Sequence, residues 1–175
     1  MKTVVWDPLR KKEVALTPEE RVRQWCIGVL RDQMGVPVHM MMSEAGFKLG
    51  DKQFRADILV YDRQASPLMV VECKRPEVEL TQEVLDQAIR YNMVLNVKYI
   101  IITNGTKTFI CRKGETGYTF IDSVPNYEQI LLHHTTFTML YLCFLTNTCI
   151  GRRTLPSRRL YRSTRAIRAT YQALS

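Results

Sequence analysis

Phe54-Arg55-Ala56-Asp57-Ile58-Leu59-Val60-Tyr61, a polar link from Asp62 to Pro67, and Leu68-Met69-Val70-Val71-Glu72-Cys73-Lys74-Arg75-Pro76 form the stretch on which the fold turns. β-Branched and aromatic residues dominate both halves and turn formers separate them, so the stretch reads as two strands of a hairpin. Side chains alternate along a strand, which puts Glu72 and Lys74 on one face and Val71 and Cys73 on the other. Pairing brings Asp57 of the first strand alongside the charged face. Two carboxylates and an ammonium then converge at the end of an otherwise apolar sheet. Charges taken out of water are costly unless they pair or hold a metal, so this cluster is the candidate functional site.

Upstream, Thr17-Pro18-Glu19-Glu20 is a helix start: Thr17 at the N-cap, Pro18 at the first helical position, Glu20 as capping-box partner. The helix is expected to reach about Gln33, with Val22, Trp25, Cys26, Val29 and Leu30 on its apolar side. Gly28 inside it costs about 1 kcal/mol relative to alanine, which points to close packing against the sheet. Residues 1–16 precede this helix as a leader whose Arg10-Lys11-Lys12 reads as a solvated basic run. Val36 to Met42 reads as a strand and Glu44 to Gln53 as its turn.

Downstream, Thr81 caps a second helix through about Leu95, with Val84, Leu85, Ala88, Tyr91 and Leu95 apolar. Val97 to Thr103 is a continuous apolar run, expected as a strand buried on both faces. Asn104-Gly105 favours a tight turn into Thr108 to Arg112, and the turn at Gly114 to Gly117 precedes Tyr118 to Ile121. The order α-β-β-β-α-β-β defines an α/β fold, a mixed sheet flanked by helices.

The 175 residues suit one domain with its own core, and a hydrophobic fraction of 46% is ordinary for a globular chain. No signal-peptide pattern opens the sequence, and no segment approaches the roughly 20 apolar residues of a membrane span. Five cysteines without a CxxC fit reduced thiols, so a cytoplasmic location is expected. The formal charge of +8 is lopsided: residues 1–128 carry all 17 acidic residues against 18 basic ones, whereas 129–175 carry seven arginines and no acid. The expected division is a globular domain at 1–128, with 1–16 as its leader, and a basic, poorly ordered tail at 129–175. The tail's functional reading is an arginine arm that neutralises phosphates; a terminus translated in a shifted frame is the alternative. No GxxxxGK[ST] run supports a nucleotide-driven motor.

Asp57, Glu72 and Lys74 supply what metal-dependent phosphodiester hydrolysis needs. Mg²⁺, with Mn²⁺ as a substitute, prefers hard oxygen ligands and keeps several waters, so two carboxylates are a typical protein contribution. The ion polarises a phosphoryl oxygen and lowers the pKa of bound water. Lys74 can address the same phosphate and offset charge in the transition state. The backbone carbonyl of Cys73, between them, offers another oxygen ligand.

At these positions the chain resembles the PD-(D/E)xK nuclease superfamily and, more narrowly, the N-terminal nuclease domain of the restriction (R) subunit of type I restriction enzymes. The resemblance is carried by Asp7-Pro8-Leu9-Arg10-Lys11-Lys12, Thr17 to Gln24, Arg55-Ala56-Asp57, Val71 to Pro76, Gln87-x-x-x-Tyr91 and Thr103-Asn104-Gly105. It implies a restriction-endonuclease-like fold and a Mg²⁺-dependent DNA endonuclease serving DNA restriction and defence. Asp57 and Glu72 are the implied metal ligands, Lys74 the assisting residue, and Glu20 the acidic ligand offered by the first helix. Gln87 and Tyr91, one turn apart on the second helix, are implied in DNA positioning. The implied partners are DNA and a separate helicase/motor or modification subunit, with no membrane. Ala56 stands where the superfamily name has proline, and no motor domain accompanies the nuclease pattern. A non-catalytic DNA-binding or assembly module that keeps the fold is the rival reading. Plainer readings are a surface salt-bridge cluster for Asp57, Glu72 and Lys74, a cap for Glu20, and a packed helix face for Gln87 and Tyr91. His39, His133 and His134 lack ligand spacing.

Overall fold

A computed structural model of the chain describes residues 3–49 and 52–132. The arginine-rich stretch at 133–175 lies outside the described residues, and so do the expectations attached to it. The elements are β1 (Val4–Asp7), β2 (Lys12–Ala15), α1 (Pro18–Asp32), β3 (Met41–Leu49), β4 (Lys52–Tyr61), β5 (Pro67–Cys73), α2 (Gln82–Asn92), β6 (Tyr99–Thr103), β7 (Thr108–Lys113) and β8 (Tyr118–Ile121). Strands β3 to β8 lie side by side in chain order in one six-stranded sheet. All neighbours are antiparallel except β5 and β6, which run parallel. A parallel pair needs a crossover, and α2 supplies it. This is the expected α/β order, with β8 completing the far edge.

The sheet has a helix on each face. On one side Val22, Cys26, Ile27 and Leu30 of α1 pack on Ile58, Val60, Met69, Val71, Cys73, Tyr99 and Ile101. On the other, Leu85 and Ala88 of α2 pack on Leu59, Val70, Ile100 and Ile102. With both faces covered, β6 is buried at all five positions, as its unbroken apolar text demands. The helix starts behave differently. Thr17 Oγ1 accepts the Glu20 N–H at 3.1 Å, whereas Thr81 occupies the N-cap of α2 without a capping bond.

Three expectations change. The leader is ordered: β1 and β2 pair from Val4–Ala15 to Asp7–Lys12. Within it Arg10 turns inward, because Asp7, fully buried, accepts its Nε at 2.5 Å and its backbone N–H at 2.8 Å. Second, the strand expected at Val36 to Met42 begins only at Met41, after a short 3-10 turn at Val38–Met40, and the supposed turn from Glu44 is strand. Pairing with β4 from Met41–Val60 to Leu49–Lys52 overrides the weak local signal of Gly46 and Lys48. Third, Gly28 is not pressed against the sheet: a Cβ there meets nothing within 4 Å.

The core also extends past residue 128. The chain is helical at 127–132, Ile130 is fully buried, and the Tyr127 hydroxyl donates to the Tyr61 carbonyl at 2.8 Å. Two outcomes follow in chemical denaturation. Gly28→Ala should stabilise the protein by about 1 kcal/mol, since it removes glycine's helix penalty without a clash. Ile130→Ala should cost about 2–5 kcal/mol, the range for emptying a core position.

Candidate active site

The β4–β5 ladder ends at the Ile58–Val71 pair. Beyond it the two strands separate, and the Asp57 side chain takes over the bonding: its Oδ2 accepts the Cys73 N–H at 2.7 Å. Two residues apart on β5's face, Lys74 Nζ donates to Glu72 Oε1 at 2.8 Å. Alternation therefore works as expected, with Val71 and Cys73 turned to the opposite side among the α1-facing core. Asp57 and Glu72 lie close enough for each charge to be felt by the other. Burial pushes the Glu72 carboxyl up from its ordinary range, the Asp57 charge adds to this, and the Lys74 hydrogen bond offsets only part. Burial opposes the Lys74 ammonium too, but its bond to Glu72 wins and its pKa is raised.

The acidic surroundings extend from this pair. Arg23 of α1, almost wholly buried, donates Nη2 to Asp57 Oδ1 at 2.7 Å and Nη1 to Glu20 Oε2 at 2.5 Å and Glu44 Oε1 at 2.8 Å. Glu19 stands 3.7 Å from the same guanidinium. Glu20 also accepts from Arg10 Nη2 at 2.5 Å and Gln24 Nε2 at 2.9 Å, and Glu44 pairs with Arg55. Asp7, Glu19, Glu20, Glu44, Asp57 and Glu72 thus share the side chains of Arg10, Arg23, Arg55 and Lys74.

Among the described residues no three His, Cys, Asp or Glu side chains form a group that could hold a metal by themselves. Asp57 and Glu72 alone still fit Mg²⁺, which is commonly bound through one or two carboxylates with water and substrate phosphate in the remaining positions. Their donor chemistry is right, and the Glu72 carboxyl, raised first by burial and then by the Asp57 charge, is one that a cation would stabilise in its ionised form. The pattern of the type I restriction enzyme R protein N terminus (HSDR_N) matches residues 18–125, from the start of α1 to just past β8.

The chain belongs to this HSDR_N family. Among solved structures it is similar to a fragment assigned as the HsdR subunit of a type I restriction enzyme from Vibrio vulnificus YJ016, at 20% identity and a TM-score of 0.49. That alignment covers 74% of this chain and 26% of the other, so the chain spans about a quarter of that relative's length. No curated protein sequence matches it at a significant level.

Set against this HSDR_N domain, the other expected site residues are placed unevenly. Glu20 and Asp57 are joined through Arg23, whose Nη1 binds Glu20 Oε2 and whose Nη2 binds Asp57 Oδ1. The Glu20 carboxylate does not close the capping box: Arg10 and Arg23 offer charge-assisted bonds, which are about twice as strong as a neutral backbone N–H. Gln87 is exposed on α2; the Tyr91 side chain lies outside the described part of the structure. Arg23 falls inside the Thr17 to Gln24 text that carries the resemblance but has no implied role there, and Glu44 belongs to no motif. A hint was available for Arg23 alone, which falls on the Val22–Cys26 side of the helix, where an unpaired arginine would be anomalous.

The burial of Glu72 makes its contribution to stability depend on pH. Its folded-state pKa lies above the unfolded one, so its cost is absent well below pH 4.5 and grows as pH rises through the folded value. In metal-free buffer, Glu72→Gln should be at least as stable as the wild type at pH 7. The difference should close as the pH is lowered towards 4. Urea titrations across that range check it; a variant clearly less stable at pH 7 would mark a structural salt bridge.

Proposed function

We propose that this HSDR_N domain is a Mg²⁺-dependent DNA endonuclease of a restriction system. The observation that carries this reading is the Asp57–Glu72 pair, two carboxylates at the point where β4 and β5 part, with Lys74 beside them. Asp57, Glu72 and the Cys73 carbonyl are the ligand set. A divalent ion bound there supplies polarisation of a phosphoryl oxygen and a bound water of lowered pKa. Lys74 keeps its proton at neutral pH, since its pKa is raised from 10.5. It therefore acts as a cation rather than as a base. With its side chain 31% exposed it can donate to a non-bridging phosphate oxygen while Glu72 holds it in place. Gln87 and Tyr91 are assigned to placing the DNA backbone. Glu20 reaches a cation only after release from Arg10 and Arg23.

On this reading the partners are DNA and a separate helicase/motor or modification subunit, and the location is the cytoplasm. Among the described residues no helix is long and apolar enough to cross a membrane. A second reading has an observation in its favour. With Glu20 engaged by two arginines and, among the described residues, no group of three such side chains fit to hold a metal, the domain also suits a non-catalytic DNA-binding or assembly role.

A plasmid-nicking assay with Mg²⁺ or Mn²⁺ decides between them. The wild type should nick, Glu72→Ala should not while remaining folded, and Lys74→Ala should lose about 10²–10³-fold, the typical worth of one transition-state donor. DNA binding indifferent to EDTA, with no cutting under any divalent ion, would leave the binding module standing instead.

A further inference from the structure

Arg23 lies outside the expected catalytic set, yet its guanidinium binds carboxylates from the first helix, β3 and β4 at the site. It is 5% exposed. Its Nη2 holds Asp57 Oδ1 at 2.7 Å, and its Nη1 is shared between Glu20 Oε2 and Glu44 Oε1 at 2.5 and 2.8 Å. On the other side of the same carboxylate, the Cys73 N–H holds Oδ2 at 2.7 Å. Both oxygens of Asp57 are therefore pinned from different elements. Since an ionised carboxylate accepts at about four positions, roughly half its capacity stays free for a cation.

The β3–β4 pairing supports the same assignment. Its register runs Ser43–Ile58 and Ala45–Ala56 and skips the intervening Glu44 and Asp57. Glu44 there has φ 56°, a left-handed backbone that a non-glycine residue keeps only when its surroundings impose it. Two like charges facing each other across an antiparallel pair repel. Arg23 bridges them, and the strained Glu44 is the visible trace of that bridge. Behind it, Glu20 is fixed by Arg10, and Arg10 by the buried Asp7 at the end of β1.

We propose that Arg23 is the positioning residue for Asp57, setting the orientation in which that carboxylate meets a divalent cation. This rests on the nuclease reading above and adds a residue to it. Arginine is required rather than lysine, because one ammonium cannot span Asp57, Glu20 and Glu44 with a planar fork.

The test compares the full chain as wild type and Arg23→Lys, which keeps the charge and removes the fork. Mn²⁺ binding is read from the electron paramagnetic resonance signal of the free ion, unfolding is followed without metal, and plasmid nicking is measured in parallel. Arg23→Lys should unfold cooperatively and bind Mn²⁺ about 10–100-fold more weakly, the usual effect of losing a partner that orients a metal ligand. Unchanged Mn²⁺ affinity overturns the proposal, whether or not cleavage is lost. Should Arg23→Lys fail to fold, Arg10→Lys acts on a part-exposed side chain one ion pair further out. It should weaken Mn²⁺ binding in the same direction by a smaller factor, and unchanged affinity there overturns the proposal equally. A wild type that binds no Mn²⁺ and cuts nothing defeats the nuclease reading itself. A wild type that does both, beside an unaffected variant, defeats only the role of Arg23.

Discussion

The balance of charge where β4 and β5 separate constrains the rest of the structure. A carboxylate or guanidinium withdrawn from water loses several kcal/mol of hydration, which only close, well-formed partners return. Each member of the set from Asp7 to Lys74 is accordingly held by at least one opposite charge, and Asp57 also by a backbone N–H. The arrangement leaves little freedom: α1, β3, β4, β5 and the N-terminal hairpin must all sit where their charged side chains meet. Removing one member strands another, so the network is a stronger constraint on relative position than its net contribution to stability suggests.

The apolar body explains how such a cluster is tolerated. Ile58, Met69, Val71 and Ile101 bind α1, and Leu59, Val70, Ile100 and Ile102 bind α2, so both helices are anchored by burial rather than by charge. Placing the polar groups at one end of the sheet keeps them near water. Lys74 remains part-exposed there, while Arg23 and Glu20 stay within the helix–sheet seam. Cys26 and Cys73 meet in that seam with their sulfurs 3.8 Å apart. Their hydrogen bond and burial hold the Cys73 thiol well above its ordinary pKa, fitting a packed filler and not a nucleophile.

Much of this was legible in the residue order because the relevant signals are local. Thr17-Pro18 starts α1 at the position its cap chemistry requires, and the run to Thr103 is buried on both faces. Glu72 and Lys74 meet because strand alternation has a fixed period of two. Signals failed where a distant partner decided the outcome. Arg10 belongs to a basic run by composition, and only the buried Asp7 and Glu20 turn it inward. Glu20 looked like a capping-box acid, but Arg10 from the leader and Arg23 one turn along the same helix hold its carboxylate instead. Gly28 suggested tight packing, whereas the helix surface there is open.

By itself the sequence determined the order of helices and strands from α1 onward, the faces they bury and the shared face of Glu72 and Lys74, since each depends on neighbours a few positions away. Only the tertiary structure decided which carboxylates share Arg23, that β3 begins at Met41, and that Glu44 stands opposite Asp57 in a strained conformation. Those outcomes depend on distances between segments far apart in the chain, and charge interactions change most steeply with distance where water is excluded.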